Sequence, residues 1–66
     1  MIVIAYFHYD TQRSDIEKFT DRDTAKTWLY NRWGFLVEDD EIPNTLHELI
    51  DLFVNEYGVV IEMMEI

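Results

Sequence analysis

The sequence contains no cysteine, which excludes disulfide staples and every thiolate metal site. A single proline and two isolated glycines leave no glycine-rich phosphate cradle and no proline-rich linker. Its one serine, Ser14, falls in a turn-like stretch without the base and orienting acid that nucleophilic catalysis needs. No apolar run approaches the ~18 residues of a membrane span. The opening stretch MIVIAYFHY is apolar but lacks the basic flank and small-residue cleavage site of a signal peptide. From these absences we expect a cytoplasmic protein that is not an enzyme and uses no cofactor or metal.

The most informative absence is one of charge. Residues 33–66 carry nine acids and no lysine or arginine, whereas residues 1–32 carry five of each sign. The whole net charge of −9 therefore lies in the second half. Such a surface cannot neutralise phosphates, so direct nucleic-acid binding is disfavoured. It attracts basic surfaces instead.

What is present is apolar and aromatic material, at 48% and 15% of the residues, enough to argue against disorder. Sixty-six residues make one domain, 1–66, that buries only ~60% of its unfolded surface. Dense packing or self-association must supply the remaining stability.

Residues 1–9 read as a strand, with faces Val3, Ala5, Phe7, Tyr9 and Ile2, Ile4, Tyr6, His8; the unbroken apolar run implies cover on both sides. DTQR makes a turn, and SDIEKF, residues 14–19, a short charged strand of the kind found at sheet edges. In the next segment Thr20 is placed to cap a helix, with Asp23 at the third position. Ala25, Trp28, Leu29, Arg32 and Trp33 follow helical spacing, and Gly34 stands as a stop. A second helix is marked by Leu46, Leu49, Ile50, Phe53, Val54 and Tyr57. Thr45 with Glu48 forms a capping box, Asn44 is an equally legal cap, and Gly58 ends the helix. VVIEMMEI closes the chain as a strand.

The expected fold is α+β, ββααβ, with two helices on one face of a short mixed three-stranded sheet in the order 2-1-3. Helices running up and then down would bring the last strand parallel to the first. Both faces of the first strand are apolar, and Val60, Met64 and Ile66 add to the side the helices leave open. Patches of that size seldom stay exposed on a monomer, so a homodimer through the open sheet face is one expectation.

Among candidate sites the run Glu38, Asp39, Asp40 and Glu41 comes first. It continues along the polar side of the second helix through Glu48 and Asp51, with Glu56 flanking. A helix rise of ~1.5 Å per residue sets Glu48 and Asp51 about 4.5 Å apart along the axis. B-DNA carries one charge per ~1.7 Å, so a carboxylate row imitates it crudely. Hard oxygen ligands suit Ca2+ or Mg2+, but the alternating spacing and central glycine of a calcium loop are absent, and His47 with Asp51 does not make a zinc site. His8 has only Asp10 nearby in sequence. Tyr30 points away from the apolar stripe of its helix and is the candidate aromatic at an interface.

Glu38, Asp39, Asp40, Glu41, Glu48, Asp51, Glu56 and Tyr30 are thus the expected partner-binding residues. They describe an acidic protein-binding module, an inhibitor or decoy that docks on the basic nucleic-acid-binding surface of a partner protein. The alternative is a self-associating structural or regulatory domain whose acids only provide solubility. In size and charge the chain resembles small acidic proteins of phages and mobile elements, DNA mimics and anti-CRISPR inhibitors among them. That likeness is one of type and no motif carries it.

Overall fold

The computed structural model describes residues 1–8 and 10–66; the position of Tyr9 on the first strand lies outside them. Strands β1 (Ile2–His8) and β2 (Arg13–Phe19) form a hairpin, followed by α1 (Arg22–Trp33), α2 (Leu46–Tyr57) and β3 (Ile61–Glu65). The sheet order is β2-β1-β3, as the sequence implied. No helix among the described residues is long and apolar enough to cross a membrane.

The direction of β3 differs from expectation. Ile2 pairs with Glu65 and Tyr6 with Ile61, so β3 runs antiparallel to β1 and the sheet is antiparallel, not mixed. The cause is the long connection, residues 34–45. It contains two 3-10 turns, Gly34–Leu36 and Asp39–Glu41, and carries the chain back along α1 until the Asn44 carbonyl accepts from Lys26 Nζ at 2.8 Å. α2 therefore starts at the same end of the sheet as α1 and runs the same way. Arg22, at the start of α1, clamps Glu65 at the end of β3 with two bonds of 2.7 Å.

The helix ends show how local chemistry decides. Asp21, not Thr20, caps α1 by accepting from Thr24 N–H at 2.8 Å. Both residue types cap well, and Asp21 also brings a negative charge to the helix start. Gly34 does not stop α1 in the left-handed region; its φ is −60° and the chain tightens into the 3-10 turn. A Cβ there would lie 3.0 Å from the Tyr30 ring, so close approach, rather than φ, calls for glycine. Gly58, at φ 68°, is the left-handed stop the sequence implied. Thr45 caps α2, with Glu48 N–H donating to Thr45 Oγ1 at 3.2 Å.

Ile2, Ile4 and Tyr6 of β1 are buried beneath Ala25 and Leu29 of α1 and Leu46, Leu49, Ile50 and Phe53 of α2. Val54 and Tyr57, the last members of the apolar stripe, stay exposed at its margin. Trp28 and Trp33 pack edge-on against Tyr6, with centroids 5.0 and 5.8 Å away. Among the described residues no helix lies on the opposite sheet face, where Val3, Ala5 and Phe7 are half-buried, which corrects the expectation of a first strand buried on both sides. The faces of an antiparallel sheet need not match, and here only one carries helices.

Candidate acidic docking surface

Most of the expected interface residues gather around the returning connection. Glu38 leads into the 3-10 turn Asp39–Glu41, and all four carboxylates are exposed. Two tyrosine hydroxyls hold it. Tyr30, on α1, donates to Asp39 Oδ1 at 3.2 Å; Tyr57, in the last turn of α2, donates to Glu41 Oε2 at 2.8 Å. One turn is thus fastened to both helices.

The electrostatics follow from the same geometry. The hydrogen bond to Glu41 leads in pushing the Tyr57 phenol above its ordinary pKa, and the negative charges of Glu41, Glu56 and Glu38 add to the effect. Tyr30 is raised in the same way, first by the charge of Asp39 and then by its bond. Among the described residues none of Glu38, Asp39, Asp40, Glu41, Glu48, Asp51 or Glu56 is in an ion pair. Lys26, on α1, donates its ammonium to the Asn44 carbonyl. Among the described residues, no ion pair therefore offsets the turn's charge.

Not every expected residue joins this centre. Glu48 stays at the start of α2, where its carboxylate also accepts from the Thr45 hydroxyl at 2.8 Å. Asp51 is exposed on the outer side of α2, away from the turn by helical phase. Asp40 is exposed in the middle of the turn. The centre is Glu38, Glu41 and Glu56 around Tyr57, with Asp39 and Tyr30 beside it and Glu48 and Asp51 as an extension.

Two residues were not anticipated. Tyr57 reads in sequence as one more member of the apolar stripe, and nothing in the spacing shows its hydroxyl reaching back to Glu41. Phe35 is 81% exposed at the mouth of an open cleft of about 330 Å³ that it lines with Leu36, Tyr57 and Val59. Its signal was an apolar triplet directly after a helix. Together Phe35 and Tyr57 place an aromatic surface against the acidic one.

His8 is occupied at both ring nitrogens. Nε2 lies 2.9 Å from Asp15 Oδ2 and Nδ1 lies 2.6 Å from Arg32 Nη2. Arginine only donates and a carboxylate accepts, so the tautomer with its hydrogen on Nε2 satisfies both contacts. Arg32 also stacks over Tyr6 and Trp33, so this group ties the hairpin end to α1. No cluster of three or more histidine, aspartate or glutamate side chains among the described residues is placed to hold a metal ion. Comparisons of the chain with protein-family models, with curated proteins and with solved structures found no match.

Proposed function

We propose that the chain is a non-enzymatic, cytoplasmic protein-binding module, an inhibitor or decoy whose acidic C-terminal half docks on a basic nucleic-acid-binding surface of another protein. One observation carries the reading: four exposed carboxylates in one turn, none ion-paired among the described residues, held to both helices by Tyr30 and Tyr57. A loop kept only for solubility gains nothing from being fastened, since like charges held together repel. A docking surface does gain, because preordering removes part of the ordering cost of binding. Phe35 and Tyr57 supply the aromatic centre from which interface affinity comes, while the surrounding acids steer the encounter. This is the mode of a DNA mimic, with carboxylates standing where phosphates would lie.

The experiment is affinity capture from the source or host lysate at low and high salt. The variant E38Q/D39N/D40N/E41Q and the single variant Phe35→Ala are run alongside. The reading expects a nucleic-acid-processing protein that is lost at high salt and in the quadruple variant, and weakened by Phe35→Ala. Capture that ignores both salt and the four neutralisations would overturn it.

A further inference from the structure

We infer that the uncovered sheet face is a self-association surface, on which two copies of this chain pack face to face about a two-fold axis parallel to β1. The side chains alternating outward from the sheet are largely apolar. Val3 and Ala5 run down the centre, flanked by Ile16 on β2 and by Val60 and Met64 on the β3 side, with Ile66 beyond. Ile16 and Met64 are each 63% exposed and Ile66 78%. With strands ~4.8 Å apart and ~3.4 Å of rise per residue, the face is roughly 14 Å wide and runs about 24 Å along β1 and β2 (7 residues each) and about 17 Å along β3 (5 residues). Even corrugated by side chains, that face buries on the order of 500 Å² per copy, or about 1,000 Å² in all, the size of a weak, reversible interface.

Charge decides both the occupant and the axis. Among the described residues the outward face carries one base and one acid: Lys18 on β2 opposite Val3, and Glu62 on β3 opposite Ala5. They flank β1 on opposite sides, and among the described residues neither has an ion-pair partner within the protomer. A two-fold perpendicular to the strands and centred on Ala5 would stack Glu62 on its own copy. An axis parallel to β1 instead lays β2 of one copy over β3 of the other, so Lys18 meets Glu62 of the second copy, twice. The two lie ~7 Å apart along the strands, across sheets ~10 Å apart, a gap that two long side chains leaning together close. The face is neutral overall and self-complementary, as a two-fold interface requires. Glu38–Glu41 and the exposed acids of α2 lie on the helix layer, on the far side of the sheet, so a dimer holds the two acidic layers apart. The inference does not depend on what those acids bind.

The test is sedimentation equilibrium of the intact chain from low to high micromolar concentration. It compares wild type, Lys18→Glu, Glu62→Lys, the double swap K18E/E62K and an equimolar mixture of the two single variants. Both residues are exposed, and circular dichroism at low concentration checks that each variant folds. Wild type should dimerise. Each single reversal places like charges across the interface twice and should weaken association by about tenfold or more. The double swap should restore it, and so should the mixture, as a heterodimer. A chain that stays monomeric, or a dimer that none of the reversals weakens, would overturn the inference; the latter would place the contact elsewhere, for example on the open edge of β3.

Discussion

Two isoleucines in adjacent strands give the fold its sharpest stability test. Ile4 is 0% exposed beneath the helices, and Ile16 is 63% exposed on the opposite face. Truncating either to alanine removes the same ~3 carbons, worth ~0.8 kcal/mol each when buried, or about 2.5 kcal/mol. At Ile4 the cavity left under Leu49 and Phe53 raises the loss to roughly 3–4 kcal/mol. At Ile16 only about a third of that transfer term applies, so the loss stays below about 1 kcal/mol. A chain this short has ~3–10 kcal/mol of stability in total. Ile4→Ala therefore consumes most of the margin, with a fall in Tm on the order of 12–30 °C at ~4–8 °C per kcal/mol. Ile4→Val, expected to cost ~0.5–1.5 kcal/mol, is the graded companion if the alanine variant does not fold. The assay is urea unfolding at low protein concentration, followed by tryptophan fluorescence from the Trp28–Trp33 pair. Equal losses at the two sites, or a larger one at Ile16, would refute the assignment of the two sheet faces, because only Ile4 is placed beneath the helices.

The quadruple neutral variant E38Q/D39N/D40N/E41Q should melt at the same temperature as wild type or a few degrees higher, since repulsion is relieved and amide oxygens still accept from Tyr30 and Tyr57; a large fall in Tm in a thermal scan would show that the charges themselves hold the turn. Ultraviolet titration of the phenols checks the same geometry. Tyr57 and Tyr30 should ionise above the ordinary value of 10.0, and more nearly at it in the quadruple variant. A raised folded pKa means that the tyrosine contribution to stability is present below pH 10.0 and is lost as pH rises through the raised value. At the acid end, Glu65 is lowered chiefly by its hydrogen bond to Arg22, and Asp21 by its bond from Thr24 N–H. Depressed carboxylates contribute stability above their ordinary values of 4.5 and 3.8 that disappears as pH falls through the folded ones. Unfolding measured from neutral pH to pH 2 should lose part of its acid limb in E65Q and D21N, and an unchanged limb would mean that these contacts do not form in solution.

Much of the architecture was legible because it rests on local chemistry. The stripe from Leu46 to Phe53, the Thr45 cap and the left-handed Gly58 specify α2 almost residue by residue. Charged SDIEKF beside an apolar first strand specified an edge strand, and the structure begins it one residue earlier, at Arg13. The direction of β3 was not legible, because it depends on where residues 34–45 lead the chain. That stretch has no periodicity, and its course is decided by Lys26, Tyr30 and Tyr57, whose partners lie far along the sequence. Thr20 and Asp21 are both good caps, so sequence alone could not choose between them. For the acidic surface, composition gave the residues and their sign. What it lacked was the anchoring by tyrosine hydroxyls and the exposed Phe35, both products of the path of the connection.

The decoy reading is tested most directly on the captured partner, purified and bound to its own nucleic acid. Increasing amounts of this chain are added at low salt, and release of the nucleic acid is followed by fluorescence anisotropy. The account predicts full displacement by wild type and little by the quadruple neutral variant, with one binder excluding the other. A ternary complex, in which partner, nucleic acid and this chain are held together, would contradict it.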